Sequence, residues 1–317
     1  MVDESQLAES KSIHKQTGKT FYYATRVLPE RVRDATYVLY AFFRVADEVV
    51  DNDTGLSTAE QRDRLAAIEA AALGRELTDD PVLSAFAELR DRYDIPAEEV
   101  ETFIEAMAAD TEKSRYETYE ELETYMRGSA AAVGVMMTHV MDPDEPDHAM
   151  PHAVTLGEAF QLSNFLRDVG EDIAERDRIY LPGETLRAHG ASFADIERRE
   201  ATPGVRGAIQ SELRRTEKLY REGVAGIKYL PEDCQFAVLL SAVLYADHHR
   251  LIRDLDYDTV TTTPSLSTAR KVALVAKTRW HWAWNKDPEA VFAKVAAVPS
   301  AETHHHGPEP GAPSPAR

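Results

Sequence analysis

The chain has 317 residues, 43% apolar and 8% aromatic, enough for one large domain or two ordinary ones around a sizeable core. Its 36 Lys and Arg stand against 55 Asp and Glu, and the resulting charge of −19 repels the phosphate backbone, so no nucleic-acid partner is expected. Cys234 is the single cysteine, which excludes an internal disulfide and a Cys-based zinc site and suits a reducing compartment such as the cytoplasm.

The opening MVDESQLAESKSIHK has no basic region followed by an apolar one, and the longest apolar run, Phe236 to Ala246, is far shorter than the ~20 residues needed to span a bilayer. The chain reads as neither exported nor inserted. Its acid excess is spread throughout, which suits a surface kept hydrated at high salt and points to a salt-loving host.

Apolar residues recur at helical spacing nearly everywhere and few alternating runs occur, so the fold class is all-α. Pro29, Pro81, Pro96, the cluster from Pro143 to Pro151, Pro182, Pro203, Pro231, Pro264 and Pro288 each stand where one helical pattern gives way to another, which predicts roughly ten helices. No linker interrupts them. A single large bundle over residues 1–298 is expected, followed by a disordered tail over 299–317 that is rich in Pro, Gly and polar residues. His304, His305 and His306 lie in that tail and are assigned no function.

The first helix with chemical content is TYVLYAFFRVADEVVD. Tyr40, Arg44, Asp47 and Asp51 are spaced by four, three and four residues, which at ~100° per residue places them on one stripe about 60° wide. Two carboxylates and an arginine in an otherwise apolar helix are costly to bury without a positive partner. A second ladder follows in QLSNFLRDVGEDIAERDRIYLP, where Asn164, Asp168 and Asp172 repeat every four residues with Gln161 one turn before and Arg167 alongside. Single acid pairs at this spacing arise by chance in so acidic a chain, and most are solvated helix faces. These two differ in their apolar setting and their arginines. Hard oxygen ligands favour Mg²⁺, which takes one or two carboxylates and leaves its other positions to water and phosphate. Two such ladders facing each other would hold a metal-bridged diphosphate.

Further along, His248 and His249 read as helix-surface residues and Cys234 as a small core residue at a helix start. Trp280, Trp282 and Trp284 fall in STARKVALVAKTRWHWAWNK, a locally basic segment. Packing of a last helix accounts for them, as would a peripheral contact with a membrane.

Five ordered blocks, TGKTFYYATRVLP, LYAFFRVADEVVD, YETYEELETYMRGSAAAVG, QLSNFLRDVGEDIAERDRIYLP and SAVLYADHHRLI, resemble the squalene and phytoene synthase family of trans-isoprenyl diphosphate synthases. The resemblance spans most of Thr17 to Lys271, and the second and fourth blocks look closest to its phytoene-forming members. It implies an isoprenoid-synthase helical bundle around a central cavity. It also implies 1′-1 joining of two geranylgeranyl diphosphates to phytoene through a cyclopropyl diphosphate, with Mg²⁺, or alternatively Mn²⁺, and without NADPH. Use of two farnesyl diphosphates to make squalene is the alternative, and a catalytically inactive scaffold of the same fold a more distant one.

By the same resemblance, Asp47 and Asp51 match the family's first aspartate motif and Asn164, Asp168 and Asp172 its second. Arg44 and Arg167 match arginines near the diphosphates. Phe21, Tyr40, Gln161 and Tyr245 fall on substrate-cavity positions, with Arg178 and Tyr180 beyond the second motif, and Tyr125 matches a tyrosine tied to proton loss or to the leaving group. Thr17 and Gly18 stand where many relatives have His-Ser, Glu48 replaces the middle aspartate of the first motif, and one extra residue separates Asp172 from Arg178. The stretch DTVTTTPSLS lacks an arginine found in some relatives, so one diphosphate contact is expected from elsewhere.

Overall fold

The computed structural model describes residues 4–17, 24–51 and 55–299. Among them the only β feature is an isolated bridge between Arg115 and Ile179. Helices α1 (Glu4–Thr17), α2 (Glu30–Asp51), α3 (Thr58–Ala72), α4 (Pro81–Arg92), α5 (Ala97–Ala109) and α6 (Tyr119–Met126) lead into a π-helical turn at Arg127–Ala131. Then come α7 (Ala132–Met141), α8 (Pro146–Arg167), α9 (Val169–Arg176), α10 (Gly183–Ala188), α11 (Phe193–Glu197) and α12 (Pro203–Val224), a 3₁₀ turn at Ile227–Tyr229, α13 (Glu232–Asp254), α14 (Thr268–Trp284) and α15 (Pro288–Val295). The all-α expectation holds, with more and shorter pieces than the ten foreseen. No helix among the described residues is long and apolar enough to cross a membrane.

Local chemistry sets most boundaries. Ser57 opens α3 through a reciprocal capping box with Glu60, and Asp80 accepts from the backbone N–H groups of Val82 and Leu83 ahead of Pro81 at the first turn of α4. Thr202 before Pro203 and Asp287 before Pro288 repeat that arrangement. Pro151 is the exception. It lies inside α8 rather than at a break, close enough to the helix start that it removes one early N–H bond without ending the helix.

Helix α8 is the central strut and packs against α7, α12, α13 and the π turn. At Gly157 an added Cβ would stand 2.7 Å from the Ala130 carbonyl oxygen, so only glycine lets α8 and the π turn approach this closely. One apolar cluster joins α2 to α7, with Cys234 fully buried in it as expected. A second joins α8, α12, α13, α14 and α15, and a third surrounds α9 to α12.

Two surface expectations are corrected here. His248 and His249 are buried, because α13 runs through the interior with apolar neighbours on most sides. Trp282 is also buried, against Phe236, whereas Trp280 and Trp284 on the opposite side of α14 are exposed. Phe21, Gly18, the side chains of Thr17 and Asp51, and the tail from residue 300 onward lie outside the described residues.

Candidate active site

A cavity of about 870 Å³ opens between α2, α5, the π turn, α7, α8, α9 and α13, toward the upper end of the ~300–1,000 Å³ usual for ligand pockets. Thr36, Leu39, Tyr40, Phe43, Arg44 and Asp47 line it from α2, at the i, i+3, i+4, i+7, i+8 and i+11 positions of one helical face. From α8 come Leu156, Phe160, Gln161, Asn164, Arg167 and Asp168. Both helices therefore run from apolar lining to polar lining as they approach their C-terminal ends. The partial negative charge of those helix ends adds to the carboxylates and favours cations there.

The second ladder is not one continuous helix. Asp168 leaves helical geometry, with φ −103° and ψ 15°, and separates α8 from α9. The kink is pinned by the Gly170 N–H, which donates to the Thr259 carbonyl at 2.9 Å. A Cβ on Gly170 would lie 2.0 Å from the Val260 carbonyl oxygen. The Asp172 N–H still donates to the Asp168 carbonyl at 2.8 Å, so Asp168 and Asp172 remain on the same wall.

Each described acid of the two ladders meets an arginine. Arg44 donates to Asp47 at 2.7 Å and to Glu48 at 3.1 Å. Arg167 grips Asp168 through both of its carboxylate oxygens. Arg176 reaches Asp172 at 3.2 Å. Burial, and then the neighbouring charge of Asp168, push the Asp172 carboxyl up to about 7. Burial and that repulsion both disfavour the charged carboxylate, and a cation beside it would offset them. Among the described residues no three acid or histidine side chains converge tightly enough to form a metal cage by themselves. The donors Asp47, Asn164, Asp168 and Asp172 fit instead an ion that completes its shell with water and phosphate.

Beyond Asp172 the chain turns at Asp177, which adopts a left-handed φ of 53° and closes α9. The following residues are extended, with the Ile179 N–H donating to the Ser114 carbonyl at 2.9 Å. Extended backbone sends alternate side chains to opposite sides, so Arg178 and Tyr180 face the cavity while Ile179 enters the third apolar cluster. Tyr180 stacks on Phe165 with centroids 3.8 Å apart and lies 5.7 Å from Tyr125. The Tyr125 hydroxyl donates to Asp110 at 2.8 Å. Arg178 donates to the Asp110 backbone carbonyl at 3.0 Å, with its carboxylate 3.4 Å away. Burial, reinforced by Tyr180 and Asp110, holds the Tyr125 phenol well above its ordinary range. Tyr245 packs at a tilt against Phe160, ring centroids 4.8 Å apart, on the α13 side.

All the expected site residues that are described line this one cavity: Tyr40, Arg44, Asp47, Tyr125, Gln161, Asn164, Arg167, Asp168, Asp172, Arg178, Tyr180 and Tyr245. Glu48 does not. Further lining residues escaped the sequence reading, among them Asp110, Ser129, Glu171 and Arg176. Arg176 stands one turn after Asp172, so its spacing was a usable signal. Asp110 at the end of α5 had none. The Ser129 hydroxyl, on the π turn, is buried without a hydrogen-bond partner in the structure.

A mouth of alternating carboxylates and guanidinium groups above a deep aromatic and aliphatic chamber suits a ligand with a highly charged head and a long apolar body. The squalene/phytoene synthase family model matches residues 14–275. The phytoene synthase of Rhodobacter capsulatus is 34% identical over 288 residues, covering 87% of this chain and 81% of that protein. The phytoene synthase of Thermus thermophilus is 35% identical over 258 residues, covering 81% and 87%. Among solved structures, a dehydrosqualene synthase in complex with ligand superposes with a TM-score of 0.78 at 27% identity, covering 89% of this chain and 98% of that one. The squalene synthase HpnC of Alicyclobacillus acidocaldarius gives 0.71 at 26%, covering 80% and 95%. Motif order, cavity chemistry and fold converge, and the chain belongs to the squalene/phytoene synthase family.

Proposed function

We propose that this enzyme, a prenyltransferase, joins two geranylgeranyl diphosphates 1′-1 to form phytoene, the first hydrocarbon of a carotenoid pathway. The observation that carries the reading is the single cavity in which both polar ladders sit above an aromatic chamber, in a chain 34–35% identical to phytoene synthases. The family uses divalent metal for diphosphate binding, and Mg²⁺ held by Asp47, Asn164, Asp168 and Asp172, with Asp51, would draw negative charge from the departing diphosphate.

The chain's own groups then divide the work. Arg44, Arg167 and Arg176 line the cavity and would hold diphosphate oxygens as charge develops on them. Once the first diphosphate leaves, the allylic cation is attacked by the double bond of the second substrate, and loss of a proton gives a cyclopropyl diphosphate. Departure of the second diphosphate, rearrangement and loss of another proton give the hydrocarbon. No net oxidation or reduction occurs, so the reaction calls for no NADPH.

Phe43, Phe103, Phe160 and Phe165 offer ring faces to the cations and exclude water. The Tyr125 hydroxyl donates a hydrogen bond to Asp110, which leaves its lone pairs for adjacent positive charge. As a phenol held neutral by burial, it acts as a fixed dipole rather than as a base.

Product analysis tests the reading. Purified chain is incubated with labelled C20 or C15 diphosphate, with and without Mg²⁺ and NADPH. Phytoene from the C20 substrate without NADPH is expected. Turnover confined to the C15 substrate overturns the C20 assignment, and no turnover of either would favour the inactive scaffold.

A further inference from the structure

Five large apolar side chains among the described residues are exposed, and three of them, Val272, Trp280 and Trp284, share one face of α14. They are 62%, 65% and 79% accessible. On a wheel of ~100° per residue, Val272, Ala283, Ala276, Ala269, Trp280, Ala273 and Trp284 follow one another across an arc of about 120° with no polar residue between them. The four alanines are exposed as well. The inner side of α14 is independently satisfied, because Leu274, Thr278 and Trp282 are buried in the second apolar cluster and its surroundings. The outer stripe is thus a second apolar face, which water leaves uncompensated.

Its borders give the partner's chemistry. Arg279 lies on one edge and Lys277 on the other, with Lys286 just past the helix end, all exposed. From Thr268 to Lys286 there is no Asp or Glu, in a protein whose total charge is −19. Repulsion from the rest of the surface is screened beyond a Debye length of ~8 Å at physiological salt, so the local basic rim governs close approach. Trp280 and Trp284 meet edge to face with centroids 6.1 Å apart. Paired indoles on a basic-rimmed apolar stripe match a bilayer interface, which takes up amphipathic rings at headgroup depth and places anionic groups beside Lys and Arg.

We infer that the outer face of α14 is a docking surface for an anionic lipid bilayer, with the helix lying in the interfacial plane on Val272, Trp280 and Trp284. This stands apart from the proposed reaction, and its test needs no prenyl substrate.

Full-length chain is mixed with phosphatidylglycerol/phosphatidylcholine vesicles and with pure phosphatidylcholine vesicles, and pelleted at 0.15 M and 1 M salt. Stronger partitioning to the anionic vesicles at the lower salt is expected. Trp280→Ser/Trp284→Ser should weaken it at least tenfold. Arg279→Glu/Lys286→Glu should weaken it several-fold on anionic vesicles and leave the phosphatidylcholine value unchanged. Both variants should keep the wild-type melting curve and turnover of detergent-dispersed substrate, since these side chains lie outside the cavity. Equal pelleting of wild type and the tryptophan variant overturns the inference. So does a wild-type dimer in light scattering that the tryptophan substitutions render monomeric without any vesicle binding, which would make the face a contact between two copies.

Discussion

Replacing Asp172 with asparagine should stabilise the metal-free protein at alkaline pH while abolishing its chemistry. The Asp172 carboxyl is raised from an ordinary 3.8 to about 7, by burial first and the Asp168 charge second. A carboxyl raised in the folded state contributes stability that is fully present below the unfolded value and is lost as pH rises through the folded one. Between pH 4 and 7 the folded chain holds a proton that the unfolded chain has released, and stability falls with pH. At pH 8 the full gap corresponds to about 4 kcal/mol. Water in the open cavity and adjustment of Arg176 reduce that to about 1 to 3 kcal/mol.

The assay is thermal or urea unfolding of wild type and Asp172→Asn in EDTA at pH 3.5 and pH 8. Glu158 is raised to about 7 by burial and Glu123 and slopes the same way. His248, lowered to about 4 by burial and Arg167, slopes the opposite way. Only the difference between the two proteins therefore isolates Asp172. The variant should match wild type within about 0.5 kcal/mol at pH 3.5, below the unfolded value, and melt roughly 2 to 6 °C higher at pH 8. Adding Mg²⁺ and inorganic diphosphate should then stabilise wild type more than the variant. A variant that is no more stable at pH 8, or whose advantage is the same at both pH values, refutes the assignment.

Gly170→Ala should cost about 2 to 4 kcal/mol in urea unfolding, because its Cβ would meet the Val260 carbonyl, and turnover should fall as the kink bearing Asp168 moves. An unchanged unfolding midpoint argues against a pinned kink. Tyr125→Phe deletes the bond to Asp110 and should lower kcat roughly tenfold or more, about 1.4 kcal/mol of barrier, with KM little changed. A change confined to KM would place the hydroxyl in binding instead. His249→Leu removes the partner of the buried Ser163 hydroxyl, 2.9 Å away on α8, and should destabilise by about 2 to 4 kcal/mol. Denaturant midpoints within error of wild type would show that Ser163 is satisfied by Tyr220 alone.

The two polar ladders were legible because helical spacing converts residue number directly into direction. Tyr40, Arg44 and Asp47 share a face in the structure as their spacing requires. What spacing cannot carry is a contact made far away in the chain. The kink at Asp168 depends on the carbonyls of Thr259 and Val260, about ninety residues later. Asp110 is joined to the site by Tyr125 and by Arg178, which the turn at Asp177 sends back to it. The burial of His248 and His249 followed the same pattern. Their polarity suggested solvent, but Ser163 and the backbone of Tyr245 answer their ring nitrogens inside the protein. Pro151 misled because a proline near a helix start removes a bond that the first turns can spare.

The pairing of Arg44 with Asp47, Arg167 with Asp168 and Arg176 with Asp172 bears on how a diphosphate arrives. Three acid–arginine pairs already stand at the mouth, so an anion escorted by divalent counter-ions need not create every ion pair anew. It trades them, guanidinium groups turning to phosphate oxygens and carboxylates to the cations. Because such an exchange conserves the number of close opposite-charge contacts, the anion without its cations would gain three guanidiniums only by stranding three carboxylates. On the proposed function, capture would then require both to arrive, and a prenyl diphosphate alone would have little reason to stay.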